Sequence, residues 1–225
     1  MDMNIDEVEL ITFDCYGTLI DWESGIVNAF QTAAARDGIK LDADEIIAAY
    51  MAEEAEIELE DYRTYRDVLI KVADRVSVRL GWDMEPDRAV FLPNSLPNWQ
   101  PFPDTNKALE RLAKRFSLGI LSNTDDDLLT LTRRHFTVEF DLLVTAQQVK
   151  AYKPARAHFH EAIARMGREG LLHAAQSYYH DVVPARALDL PVVWVNRKGE
   201  KPTPGGPLPT QEVSNMTELA DWLGV

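Results

Sequence analysis

The chain has 225 residues, 46% of them hydrophobic and 27% charged, which suits one large globular domain or a core with a smaller insert. A net charge of −14 argues against nucleic acid and anionic membrane surfaces as partners, although a local basic group inside an acidic protein can still bind a small anion. The single cysteine, Cys15, excludes an internal disulfide and a cysteine-built metal site and suits a reducing, cytoplasmic setting.

The acidic opening from Met1 to Asp6 lacks the apolar stretch of a secretory signal, and no apolar run approaches the roughly 18 residues of a membrane span. The apolar run from Val8 to Phe13, broken only by Glu9, predicts a buried strand ending at Asp14. Helical spacing of Ile26, Val27, Phe30, Ala33 and Ala34 predicts a helix capped by Ser24 and stopped by Gly38. Asp42 and Glu45 form a capping-box pattern for a second helix. That helix carries Glu45, Glu53, Glu54, Glu56, Glu58 and Glu60, which reads as a solvated acidic face. A third helix has Tyr62, Tyr65, Leu69, Val72, Val76 and Leu80 on one stripe, and a shorter one starts near Pro86.

Pro93, Pro97, Pro101 and Pro103 then read as a stiff connection. Beyond it the pattern alternates. A helix through Ala108, Leu109, Leu112 and Phe116 leads to a strand over 118–121, a helix over 125–135 and a strand over 142–145. A helix over 157–166, a strand near 174–178, a short helix and a strand over 192–195 follow. Residues 197–210 read as a Pro- and Gly-rich loop, and Leu219, Trp222 and Leu223 as the apolar side of a last helix. Alternation of this kind indicates an α/β fold with a parallel sheet. The first strand needs that sheet to pair with, so 1–19 and 99–225 read as a Rossmann-like core, and 20–98 as a helical cap inserted after the first strand.

Four places on the core can carry chemistry. Asp14 ends the first strand, where open α/β sheets bind ligands. Ser122 and Asn123 end the second, as hydrogen-bonding groups for an anion or as a helix cap. Lys153, before Pro154, follows the third; it is either a turn lysine or an ammonium that attracts an anionic substrate and lowers the Asp14 pKa. Asp181 follows the fourth, to orient Lys153, position water, bind a metal with Asp14, or cap the next helix. All four fall on one edge of the sheet.

The stretch Phe13-Asp14-Cys15-Tyr16-Gly17-Thr18-Leu19 resembles the nucleophile motif of the haloacid dehalogenase superfamily, and Ser122-Asn123, Lys153 and Asp181 resemble its later motifs. Superfamily phosphatases usually carry a second acid two residues after the nucleophile. Here Tyr16 occupies that place, as in the L-2-haloacid dehalogenases. That resemblance implies attack by Asp14 on the α-carbon of a small 2-haloacid, an ester on Asp14, and hydrolysis to a 2-hydroxy acid. It casts Lys153 and Asp181 as catalytic partners and Tyr16, Ser122, Asn123 and the cap's Tyr65 as substrate-binding. No metal or cofactor is needed for this chemistry, and a homodimer is expected from the same resemblance. The chain departs from the subfamily in three ways: no arginine between Asp37 and Tyr62, with Arg63 and Arg66 as the nearest replacements, Phe159 for a usual tyrosine, and the fourth motif Gln176-Ser177-Tyr178-Tyr179-His180-Asp181. Two other readings stay open, a magnesium-dependent phosphohydrolase using Asp14 and Asp181, and a carboxylate-binding protein without turnover.

Overall fold

The computed structural model describes residues 4–225, so Met1 to Met3 of the acidic opening lie outside the described residues. Along the chain, β1 (Leu10–Phe13) is followed by four helices, α1 (Trp22–Ala35), α2 (Ala43–Glu58), α3 (Tyr65–Arg79) and the short α4 (Phe91–Ser95). The remainder alternates: α5 (Thr105–Leu112), β2 (Ser117–Ser122), α6 (Asp126–Thr132), β3 (Leu142–Thr145), α7 (Ala146–Val149), α8 (Ala157–Met166), β4 (Leu171–Ala175), α9 (Val183–Arg186), β5 (Val192–Val195), β6 (Gln211–Val213) and α10 (Met216–Trp222).

The six strands are all parallel and run in the order β3-β2-β1-β4-β5-β6. All four residues of β1 are buried, as an apolar run paired on both sides and covered on both faces requires. The chain builds outward from β1 to β2 and β3, then crosses back to β4. The reversal opens a crevice at the carboxyl ends of β1 and β4, where such sheets bind ligands. The expected α/β class and parallel sheet are therefore present. Among the described residues no helix is long and apolar enough to cross a membrane.

Local structure departs from the sequence reading at several points. Asp21, not Ser24, caps α1, and its carboxylate accepts both the N–H and the hydroxyl of Ser24 (3.2 and 2.7 Å). Asp42 caps α2 as expected, through the N–H groups of Asp44 and Glu45. α3 starts at Tyr65 behind Thr64, later than the apolar stripe implied. The proline segment is not one stiff strap: Pro93 lies inside α4 and Pro97 in a 3-10 turn, Leu96–Asn98. β4 begins three residues early because His173 interrupts what is otherwise the apolar run Leu171 to Ala175, all of it buried. β6 and α7 are too short and too polar to show a period.

One buried cluster joins Phe13 of β1 and Leu19 and Ile20 of the following turn to Ile26 and Phe30 of α1 and to Val68, Leu69, Val72 and Val76 of α3. Trp99, 3% exposed, sits where the chain leaves the helices. Its indole donates to Ser95 Oγ at 3.0 Å. The ring presses on Gly25 so closely that a Cβ there would fall 2.4 Å from it. Gly25→Ala is expected to destabilise the protein by about 1–3 kcal/mol through overpacking, read as a lowered urea midpoint with unchanged slope.

Candidate active site

Asp14 directly follows β1 and is 7% exposed. Its backbone N–H is held by Ala174 O of β4 at 3.2 Å. The chain then turns sharply, with Gly17 at φ +102° and the carbonyl of Cys15 accepting from both Leu19 and Ile20. This turn brings Thr18 back over the strand end. Its hydroxyl donates to Asp14 Oδ2 (3.0 Å) and accepts the N–H of Gln176 (2.8 Å), tying the first and fourth motifs together.

Lys153 is the hub. It is 1% exposed, and its ammonium has three acceptors: Asp14 Oδ1 at 2.8 Å, Asp181 Oδ1 at 2.7 Å and Leu121 O at 2.9 Å. All three of its protons are used, so the head group has one orientation. Asn123 fixes the backbone from which it projects, accepting the Lys153 N–H (2.7 Å) and donating to the Lys153 carbonyl (3.1 Å). Part of the Asn123 amide is thus committed to Lys153.

Asp181 lies in a π-turn, Tyr178–Val182, whose cap is Ser177, so the expected alternative of Asp181 as a helix cap is not what forms. Its Oδ1 also accepts from His173 Nε2 at 3.0 Å, while its fully buried Oδ2 has no partner among the described residues. His173 points inward from β4, its other ring nitrogen meeting Thr12 Oγ1 at 2.9 Å. Phe159 lies edge-on to it, the ring centres 5.0 Å apart. A lone histidine in an apolar strand gives no sequence signal, and His173 was not among the expected site residues. Ser122 is fully buried at the end of β2, and its hydroxyl also lacks a partner.

Burial raises the Asp14 carboxyl above its ordinary value of 3.8, and the Asp181 charge adds to this. Lys153 and Thr18 pull it down without reversing it, so the expected lowering by Lys153 is present but outweighed. Burial also opposes the Lys153 charge, yet the two carboxylates together hold its pKa above 10.5. Asp181, likewise buried, is kept well below the usual carboxylate range by Lys153 and His173. Cys15, next to the nucleophile candidate, is fully buried, and desolvation followed by the Asp14 charge pushes its thiol well above 9.0.

The helices complete the wall. A cavity of about 460 Å³ is lined by Asp14, Tyr16, Ser122, Asn123, Lys153 and Asp181 from the core and by Tyr50, Glu54, Glu58 and Tyr65 from α2 and α3. All seven expected site residues thus border one space. The Tyr16 hydroxyl bonds to Oγ1 of the buried Thr132 (2.8 Å), and the residue borders the cavity. The Tyr65 hydroxyl donates to Glu54 Oε1 at 2.9 Å. The acidic run on α2 is therefore not uniformly solvated: Glu53 and Glu60 meet arginines and Lys71 outside, but Glu54 and Glu58 face in. Arg63 pairs with Glu60, and Arg66 with Asp127 at 2.7 Å; neither lines the cavity. A larger groove, about 670 Å³, lies between α1 and α4 and contains none of these residues.

The strand order, the strand-end aspartate and the buried lysine together define a class, and the chain belongs to it: the family of haloacid dehalogenase-like hydrolases, whose model matches residues 8–175. Within that family the likeness runs to the 2-haloacid dehalogenases. The (S)-2-haloacid dehalogenase H-109 of Pseudomonas putida is 28% identical over 226 residues, covering 96% of this chain and 98% of that protein. Among solved structures, an L-2-haloacid dehalogenase superposes with a TM-score of 0.85 at 20% identity, over 97% of this chain and 100% of that one. The L-2-haloacid dehalogenase of Xanthobacter autotrophicus with chloropropionic acid covalently bound gives 0.81 at 17% identity, over 96% and 98%. At these identities the structures establish the shared fold.

Removing the hub leaves two buried carboxylates uncompensated. Lys153→Met is expected to cost about 3–5 kcal/mol in urea unfolding at neutral pH. The folded pKa of Lys153 is raised, so its contribution is complete below the ordinary 10.5 and lost as pH rises through the higher folded value. The variant should therefore lack the wild-type loss of stability in that alkaline window.

Proposed function

We propose that the protein hydrolyses a 2-haloacid to a 2-hydroxy acid through an ester on Asp14. The observation that carries this reading is the buried Lys153 bridging Asp14 and Asp181, combined with Tyr16 where an acid would protonate a leaving alcohol. A halide leaves without a proton, so no acid is required there.

In this reading Asp14 attacks the α-carbon, the carbon–halogen bond breaks, and halide departs with the bonding pair. Esterification removes the Asp14 charge, and Lys153 keeps its bonds to Asp181 and to Leu121 O. Water then attacks the ester carbonyl, oriented by the unpartnered Oδ2 of Asp181. The bond between the Asp14 carbonyl carbon and the ester oxygen breaks, and its electron pair leaves with that oxygen, which takes one proton of the water to become the hydroxyl of the 2-hydroxy acid. The water's oxygen stays in the Asp14 carboxylate and its other proton goes to solvent. Ser122, buried with a free hydroxyl, donates to the substrate carboxylate, and the free N–H of Asn123 faces the halide. Tyr16 and Tyr65 shape the apolar part of the cavity. Residues 20–98 serve as the cap and 1–19 with 99–225 as the catalytic core, a division supported by the cavity drawing on both. The covalently bound chloropropionic acid of the Xanthobacter autotrophicus relative is in keeping with an ester intermediate.

Two features weigh against the magnesium-dependent phosphohydrolase. The Lys153 ammonium stands between the carboxylates that a cation would bridge. Among the described residues, no three or more His, Cys, Asp or Glu side chains are grouped to hold a metal ion.

Asp14→Asn should abolish halide release from 2-chloropropionate without unfolding the protein. Excess wild-type enzyme in ¹⁸O water should carry label into Asp14 in the first turnover, detected by peptide mass spectrometry; label in the product alone would reject the ester. Halide release should survive exhaustive chelation.

Arg63 and Arg66 are committed to Glu60 and Asp127 outside the cavity. Their alanine variants should keep kcat within a few-fold of wild type. A cation aimed at the departing halide would instead cost on the order of 10²–10³ when removed.

A further inference from the structure

The haloacid reading leaves one part of the cavity without a function. Glu54 and Glu58 stand one turn apart on α2 and both line the cavity opposite Asp14. Neither forms an ion pair with a cation among the described residues. Glu54 Oε1 accepts from the hydroxyls of Tyr50 (2.5 Å) and Tyr65 (2.9 Å). Glu58 makes no hydrogen bond or ion pair among the described residues.

The contrast with their neighbours is chemical. Glu53 on the same helix meets Arg75 and Arg79, and Glu60 just beyond it meets Arg63, Lys71 and Arg75. The arginines and lysine of α3 that reach α2 are spent on its outer face. Five carboxylates and three ammonium groups line the cavity. Of the three, Lys153 has no proton left to give, Lys198 is paired with Glu23, and the exposed Lys201 bonds to neither glutamate. At the opposite wall, the fully buried Ser122 hydroxyl has no partner and borders the same space. A ligand thus meets an unused hydroxyl at the core end and unused carboxylate oxygens at the cap end. A short haloacid satisfies the first and leaves the half-buried Glu58 carboxylate and the second oxygen of Glu54 without a partner, an arrangement that disfavours its binding.

We propose that Glu54 and Glu58 form a subsite for a primary ammonium group on the substrate, so that the molecule presented to Asp14 is a zwitterion, a 2-haloacid bearing an amine. The proposal rests on Asp14 as the reacting group. Burial raises both glutamates, Glu58 further because Glu54 lies beside it, and a bound ammonium offsets that cost. Two carboxylates take up two or three N–H donors of one ammonium, leaving Glu54 its tyrosines.

The test uses two product-like molecules that are not turned over, lactate and isoserine (3-amino-2-hydroxypropanoate), titrated calorimetrically into the wild-type protein at neutral pH. Isoserine should bind at least about tenfold more tightly, the scale of one charge-assisted hydrogen bond. Glu58→Gln and Glu54→Gln, checked for folding by thermal melts, should bring the ratio close to one while leaving lactate binding equal or better. Lactate binding as tightly as isoserine, no binding of either, or a ratio that survives in a folded Glu58→Gln protein would overturn the subsite. The wild-type ratio decides alone if the variants do not fold. Halide release from 2-chloropropionate and from 3-amino-2-chloropropionate is followed on the same preparations. An isoserine preference without halide release from either would remove the dehalogenase reading and leave the subsite, whereas release without the preference would remove the subsite only.

Discussion

One ammonium holds this site together. Lys153 comes from beyond β3, Asp14 from β1 and Asp181 from beyond β4, and the three meet in a space that water barely reaches. Two unit charges 4 Å apart attract by about 4 kcal/mol at an effective dielectric of 20, while the effective desolvation penalty is several kcal/mol for each ion. The cluster is tolerable because each of its three members has a further hydrogen-bond partner, although Asp181 Oδ2 has none among the described residues. Leu121 O takes the third lysine proton, Thr18 serves Asp14, and His173 serves Asp181. Asn123 holds the lysine backbone, so the position of the charge does not depend on a long, mobile side chain alone.

The same sharing suits Asp14 to the nucleophilic role proposed for it. A carboxylate paired with a lysine of its own is stabilised at the expense of its reactivity. Here the ammonium is divided between two carboxylates, and the more strongly stabilised of them is Asp181, which also has His173. Asp14 keeps its charge under tension, raised by burial and by the neighbouring carboxylate. The asymmetry separates the two roles without any difference in residue type.

What could be read from sequence follows from how the groups are placed. Asp14, Ser122, Lys153 and Asp181 each follow an apolar strand, and the parallel sheet gathers strand ends by geometry alone. His173 could not be read, because it sits within a strand and its function depends on a neighbour eight residues away across a turn. Glu54 and Glu58 could not be read, because helical periodicity tells which residues share a face but not whether that face meets water or a cavity. Asp125 was equally hidden. Expected only to open a helix, this 2%-exposed carboxylate instead accepts the N–H groups of Tyr65 and Arg66 at 3.0 and 2.9 Å, fixing the start of α3 against the core. An N-terminal helix end takes such a carboxylate readily, so the choice of partner was a tertiary one.

The residue beside Asp14 bears on a different hazard. Molecules with a carbon–halogen bond next to a carboxylate are alkylating agents, and the nucleophile they find in most proteins is a thiolate. Cys15 is adjacent in sequence to the residue proposed to react with them. Its side chain is sealed in the apolar cluster below the strand end, and its pKa is raised far enough that almost none of it is ionised at neutral pH. A thioether there would be permanent, since water does not cleave it, whereas an ester on Asp14 hydrolyses. The turn after β1, which leaves Asp14 at the cavity and Cys15 in the core, thus separates a reversible modification from an irreversible one and would protect the protein from the substrate proposed for it.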